Sequence, residues 1–379
     1  MGATNLKGSG MRGIVYDGTE TKLVDNLKVR DPGPREVVVK MAAAGFCHSD
    51  VSFMSGLYNG IVPAPAVCGH EGAGIVDKVG SAVTHVQEGD HILIATLASC
   101  GLCKACGDGQ PARCRKSIGA PTQPFTMDGE GVWNFASTSA FGEYTLVRDT
   151  QCVKIDDDVP LTSAALVGCG VVTGMGAVFN RANVRDGDAA VVFGVGGVGL
   201  NVLQALKVQG ASTIVAVDTE PKKEALALQF GATHFLDGKA PDIVEQIAAL
   251  RPYSDSQVRG PFNAGGMDWA FDVVAHPVVT MNALESLDWG GTCVVIGVPA
   301  ADARYEGIYT RLTQVDRGLV GTRAGSYSPH RDMPFIIDLY RRGLVKLDEL
   351  VSATYPLEEY ETVIHEMEGG NLARGVLTF

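Results

Sequence analysis

Four of the nine cysteines fall in one short stretch, Cys100-x2-Cys103-x2-Cys106-x7-Cys114. Four thiolates so closely spaced can close a tetrahedral shell around Zn²⁺ and leave no position for water, which makes a structural site rather than a reactive one. A four-cysteine iron–sulfur cluster is the rival, but this spacing does not follow the common ferredoxin runs. The plain alternative is four unligated thiols in a glycine-rich loop. A metal there would pin a loop that has few apolar anchors of its own. Nine cysteines are an odd number, and residues 1–10 are polar with no apolar signal core, so disulfides are a poor default.

A second constellation suits a nucleotide. The uncharged run Ala189 to Phe193 leads into Gly194-x-Gly196-x-x-Gly199, and Val198, Val202, Leu203 and Leu206 then recur at helical spacing. Strand, glycine turn and helix together make a dinucleotide fingerprint. Gly194 makes the tight turn, Gly196 admits a pyrophosphate against the backbone, and Gly199 lets helix and strand approach. The pyrophosphate would sit on the free N–H groups of the helix start, residues 196–199, including Gly197 and Val198. A further strand, Thr213 to Val217, ends in Asp218, placed to bond a ribose 2′-hydroxyl. Acid at Asp218 and Glu220 favours NAD over NADP.

The third set is spread along the chain. Cys47, His70 and Cys169 offer two thiolates and an imidazole, a donor set that leaves a fourth position on zinc open to water or an alcohol oxygen. Taken singly, His70 would more often be a satisfied core histidine, and Cys47 or Cys169 a small buried hydrophobe.

The elements that must hold these groups fall into two kinds. Residues 11–45 alternate apolar and polar, broken by Asp31-Pro-Gly-Pro34, and read as antiparallel strands with 36–41 the clearest. A helix should follow Asp50, with strands near 74–79, 91–95, 140–147 and 152–155. Residues 99–139 read as a long loop. From about Gly170 strands and helices alternate, with strands near 189, 213, 233, 268 and 292, which predicts a doubly wound parallel sheet. A helix at 333–342 and a strand at 375–379 look like a return to the first domain. The expected division is 1–172 with 323–379, and 173–322. Residues 1–10 read as a flexible extension, with Met11 an alternative start. Residues 159–180 carry no charge but hold scattered glycines, and read as a buried junction rather than a membrane span.

With 31 basic against 43 acidic residues the formal charge is −12, and no basic run interrupts it. Nucleic acid and anionic membrane are therefore poor partners. A cytoplasmic protein is expected.

The chain resembles the zinc-dependent medium-chain alcohol dehydrogenases. The resemblance rests on Phe46-Cys47-His48-Ser49-Asp50, Gly69-His70-Glu71-x-x-Gly74-x5-Gly80-x2-Val83, the four-cysteine loop, Val167-Gly168-Cys169-Gly170 and the glycine turn, all in that family's order. It runs from about Met11 to Phe379. It implies a mostly β, GroES-like catalytic domain beside a Rossmann domain, a catalytic zinc on Cys47, His70 and Cys169, a structural zinc on the loop cysteines, and NAD. Glu71 would be a carboxylate near the catalytic metal, Asp50 the acid that orients His70, and Ser49 the hydroxyl that takes the alcohol proton. Around the cofactor it places His48, Lys223, Val274, Ile296, Val298 and Arg374, the last on the phosphates. Tyr58, Thr96, Trp133, Phe135, Val298 and Val320 would line the substrate pocket.

The reaction implied is reversible hydride transfer between a primary alcohol and NAD, giving an aldehyde. Thr96 stands where liver-type members carry phenylalanine, which predicts room for a bulky or aromatic alcohol. Ser52 replaces the histidine that continues the liver-type proton path, leaving the exit route open. His48 stands where arginine often meets the pyrophosphate; a pH-dependent phosphate contact and a solvated histidine both fit. Tyr58 and Ile118 stand where the glutathione-dependent formaldehyde branch is charged, which weighs against that branch. Residues 115–139 resemble the loop kept by dimeric members, and the strand near 294–298 is expected to extend the sheet across a two-fold axis. A homodimer is expected, a tetramer being the alternative. Rival readings are a dehydrogenase with permanently bound nicotinamide and an external acceptor, and a nucleotide-binding sensor without turnover.

Overall fold

The computed structural model describes residues 10–117, 121–252, 265–300, 302–307, 309–370 and 372–379. The expectations for residues 1–9 and for Ile118 lie outside them. The chain forms two compact units, one of residues 1–169, 328–338 and 347–379, the other of residues 170–327 and 339–346.

The first unit is β-rich. Met11–Tyr16, Thr21–Val29, Phe125–Met127, Glu130–Asn134 and Ala66–Val67 close a small barrel. Its partner sheet runs in the order Cys152–Lys154, His91–Ile94, Glu71–Val79, Glu36–Gly45, Arg374–Thr378, Val351–Pro356, with Tyr144–Arg148 also on Glu36–Gly45. Val37, Val39, Met41, Ala44, Val76, Ile92, Ile94, Phe141 and Leu377 form its fully buried core. Residues 99–139 are not simply a loop. They contain a hairpin, Phe125–Met127 against Glu130–Asn134, turned at Asp128-Gly129 with both residues at positive φ. Asp-Gly between alternating apolar residues is a strong short hairpin signal, diluted here by the irregular stretch around it.

Strand register brings the site together. The antiparallel pair of Glu36–Gly45 with Glu71–Val79 ends at Gly45 opposite Glu71. Cys47 therefore leaves one strand where His70 enters the other. Next in the sheet, Gly72 pairs with Ile94, and on the far side Gly45 pairs with Val376. A one-residue slip would turn these ends to opposite faces, and the buried valines on both strands forbid it.

The second unit is a six-stranded parallel sheet in the order His234–Asp237, Thr213–Asp218, Ala189–Phe193, Met267–Asp272, Leu287–Val295, Gly318–Gly321. This is the doubly wound order whose reversal leaves a crevice beyond the first strand's carboxyl end. Ala189, Val191, Val215, Val217, Ile247, Ala270, Ala283 and Cys293 make its core. Two sequence expectations change here. Leu287–Val295 pairs on both sides, so it cannot extend the sheet; the free edges belong to Gly318–Gly321 and His234–Asp237. Residues 339–346 group with this unit rather than the first. The buried Gln204 amide clasps the Lys346 backbone, accepting its N–H at 2.8 Å and donating to its carbonyl at 3.3 Å.

Among the described residues no single helix is long and apolar enough to cross a membrane. Residues 161–182 form several short helices whose residues are mostly buried.

Candidate functional site

The glycine turn is built as its spacing demands. Gly194 has φ +97°, a conformation that side-chain-bearing residues rarely adopt. A Cβ at Gly199 would stand 1.9 Å from the Gly194 carbonyl oxygen, so any side chain there would push helix and strand apart. A Cβ at Gly196 meets nothing within 4 Å: the space over that backbone is open. The helix Gly197–Val208 starts there, with its first N–H groups free for an anion. Asp218, at the end of its strand, accepts the Val195 N–H at 2.7 Å and pairs with Lys223 Nζ at 3.0 Å. A carboxylate, an open glycine turn and a helix start together fit a dinucleotide. Val274 lies against the turn, since a Cβ on Gly194 would meet its Cγ2 at 2.8 Å. Ile296 is buried, and Val298 is exposed.

The four loop cysteines converge, their ligand atoms all within 4.8 Å of one another. Cys103 Sγ is 3.6 Å from Cys106 Sγ, and Cys114 Sγ is 3.6 Å from Cys100 Sγ. Zn–S bonds of about 2.3 Å in a tetrahedron put sulfurs roughly 3.8 Å apart. A disulfide needs about 2.0 Å. The spacing therefore fits a tetrahedral metal shell, and none of the nine cysteines, all among the described residues, is in a disulfide. Backbone N–H groups of Leu102 and Cys103 hold the Cys100 thiol down at about 6, whereas burial pushes Cys106 up to about 12.

The open site gathers at the strand ends described above. Ligand atoms of Cys47, His70 and Glu71 lie within 4.8 Å of one another. Cys169 is hydrogen-bonded to Cys47 and to His70. The bond from Cys169, then His70, drives Cys47 well below the usual thiol range against the effect of burial, while the same bond and burial drive Cys169 up.

Asp50 organises the set. It is fully buried on the short helix His48–Met54; one oxygen accepts the Cys47 N–H at 2.9 Å and the other lies 2.7 Å from His70 Nδ1. Burial raises the Asp50 carboxyl, with the charge of His70 opposing. Burial alone would lower His70, but Asp50 and Cys169 outweigh it and raise the imidazole well above its usual value. Two sulfurs, an imidazole nitrogen facing away from its carboxylate partner, and a nearby carboxylate make a donor set that fits zinc.

Several expected residues occupy places the sequence did not indicate. Arg374 is buried and ion-paired through Nη2 with Glu71. Its Nε has no hydrogen-bond partner, a buried donor with capacity to spare. Burial raises Glu71, with Arg374 opposing. Phe135 is buried, stacked on Phe53 at 4.2 Å and edge-on to His70 at 5.8 Å. Thr96 is half-buried, with its hydroxyl turned to backbone. Tyr58 and Trp133 are half-buried against the first unit's core, and Val320 sits half-buried on the second unit's edge strand. Ser49 is half-buried and His48 exposed in the helix's first turn. No spacing signal could have revealed the Phe53–Phe135–His70 contacts or the Arg374–Glu71 pair, because long-range packing makes them.

Comparison with known proteins agrees with this geometry. Residues 33–157 match the family described as Alcohol dehydrogenase GroES-like domain, and residues 197–341 the family described as Zinc-binding dehydrogenase. The chain is 36% identical over 377 residues to S-(hydroxymethyl)glutathione dehydrogenase of Saccharomyces cerevisiae, covering 96% of this chain and 95% of that one. A solved structure of an alcohol dehydrogenase zinc-binding domain protein from Burkholderia ambifaria superposes with TM-score 0.90 at 30% identity, covering 97% of this chain and 98% of that one. Benzyl alcohol dehydrogenase from Acinetobacter calcoaceticus superposes with TM-score 0.88 at 32% identity, covering 97% and 99%. A GroES-like catalytic domain, a Rossmann domain and relatives of this kind place the chain in the zinc-dependent medium-chain alcohol dehydrogenases, class III-like oxidoreductases acting on CH–OH groups.

Proposed function

We propose that this chain interconverts a primary alcohol, bulky or aromatic, and its aldehyde with NAD, through a catalytic zinc on Cys47, His70 and Cys169 with Glu71 beside it. A second zinc on Cys100, Cys103, Cys106 and Cys114 is structural. The observation that carries the reading is Asp50: one buried carboxylate holds both the Cys47 backbone and the His70 ring. Bound there, zinc would supply Lewis acidity toward an alcohol oxygen, and NAD a hydride acceptor.

The residues have distinct tasks. Asp50 takes the His70 Nδ1 proton as its hydrogen bond, which leaves Nε2 as the free donor atom. Ser49, half-buried, would accept the alcohol proton while giving its own hydroxyl proton to water, and His48 and Arg374 contact the cofactor phosphates, Arg374 with the Nε that Glu71 leaves free. Asp218 and Lys223 hold the adenosine ribose, and the carboxylate excludes a 2′-phosphate. Along the cofactor lie Gly194, Gly196, Gly197, Val198, Gly199, Val274, Ile296 and Val298.

The neighbour named benzyl alcohol dehydrogenase accords with an aromatic substrate. A second reading, oxidation of S-(hydroxymethyl)glutathione, follows the name of the yeast relative, and the uncharged Tyr58 weighs against it. We place the enzyme in the cytoplasm as a homodimer, paired through the free edge at Gly318–Gly321.

The test is kcat/KM for ethanol, benzyl alcohol and S-(hydroxymethyl)glutathione with NAD and NADP, before and after chelation. Benzyl alcohol with NAD should lead, and chelation should abolish turnover. Preference for NADP, or for the glutathione adduct, would contradict the reading.

A further inference from the structure

Thr96 comes two residues after the strand His91–Ile94, at the corner where the ligand-bearing segments meet. Its hydroxyl oxygen lies 3.0 Å from the His70 carbonyl and 3.0 Å from the Gly168 carbonyl. Its backbone N–H also donates to the Gly168 carbonyl, at 3.3 Å. These two carbonyls belong to His70 itself and to the residue just before Cys169. The hydroxyl has one proton and two acceptors within reach, so none is left over for a substrate.

Gly168 needs an outside tether. A Cβ there would stand 2.6 Å from the Ile94 carbonyl oxygen and 3.6 Å from Glu71 Cα, so no side chain can anchor this turn from within. Cys47 and His70 are locked by strand register and by Asp50. Cys169 arrives instead on the short 3₁₀ turn Leu166–Gly168, outside any ladder. The Thr96 hydroxyl lies within reach of a carbonyl on that turn and of the His70 carbonyl, and its N–H adds a second bond to the turn.

We propose that Thr96 is a positioning residue for the catalytic metal: its hydroxyl fixes the spacing between His70 and Cys169. This deepens the zinc reading above and rests on it. Groups that orient metal ligands typically change metal affinity by about 10- to 100-fold when removed. Thr96→Val keeps the β-branched shape and deletes the hydroxyl, whereas Thr96→Ser keeps the hydroxyl.

The experiment follows zinc release from the holoenzyme to a chromophoric chelator and the visible spectrum after cobalt substitution. The phase missing from His70→Ala identifies the catalytic metal. In Thr96→Val that phase should quicken about tenfold and the cobalt ligand-field bands should shift. The four-cysteine phase should stay unchanged, and Thr96→Ser should restore both signals. Wild-type release and spectrum in Thr96→Val would overturn the proposal, as would equal quickening of both phases without rescue by serine. If the wild-type enzyme itself shows only the four-cysteine phase, the zinc reading fails and takes the proposal with it.

Discussion

Asp50 has no exposed surface, and each of its oxygens already has a partner, the Cys47 N–H and the His70 ring. Asparagine in its place would keep the size but turn one acceptor into a donor. If the amide oxygen stays on the Cys47 N–H, the amide NH₂ faces His70 Nδ1 and forces the proton onto Nε2, the atom needed for the metal. Asp50→Asn should therefore lower kcat/KM by about 10- to 100-fold. A value within twofold of wild type would show that the ring needs no such orientation. The residues of this site were legible unevenly. Cys47, His70 and Cys169 suggested a donor set that spacing could not support, since register brings together only the strands beside Cys47 and His70 and Cys169 comes from a turn outside the ladder. Thr96 and Phe135, read in sequence as pocket wall, have their polar or aromatic faces committed to His70 and its surroundings.

At the scale of elements, the glycine turn separates fold from binding. Gly199→Ala would drive a methyl into the Gly194 carbonyl, so it should cost stability even without cofactor, lowering Tm by several degrees. Gly196→Ala meets open space at φ −95°, so it should leave Tm near wild type while weakening NAD binding at least tenfold. Equal loss of stability in both variants would mean that the open space is not the cofactor's. Thermal melts and NADH fluorescence titration separate the outcomes. This element was legible because its requirements are local: a strand, a turn and a helix start within one short stretch. The hairpin at 125–134 is just as local, yet it was hidden by the irregular sequence flanking it.

Another element invites a pH test. The helix Pro329–Arg341 presents His330, whose Nε2 donates to the Thr150 carbonyl at 3.2 Å and whose ring lies edge-on to His85 at 5.4 Å. Partial burial and then His85 hold His330 below its usual value of 6.5. The folded chain thus binds fewer protons there than the unfolded chain. Its stability is intact above that value and falls as pH drops below it. The urea midpoint should fall between about pH 7.5 and about pH 5.5, and His330→Gln should shrink the fall; an unchanged fall would assign it to other groups.

For the whole molecule, two units with separate cores follow from composition and from the change of pattern near residue 170. Their boundary was less legible. Residues 339–346 group with the parallel sheet, and one tie between them is the bond of Gln204 to the Lys346 backbone, a contact between distant positions with no periodic trace in sequence. The sheet's free edge likewise depended on strand order, which pairs Leu287–Val295 on both sides.

The proposed alcohol chemistry requires a metal on Cys47, His70 and Cys169 in addition to one in the four-cysteine loop. Elemental analysis of zinc per chain in the wild type and in His70→Ala tests this most directly. Two zinc ions in the wild type, falling to one in the variant with loss of alcohol oxidation, is the predicted result. One zinc in both proteins would contradict it.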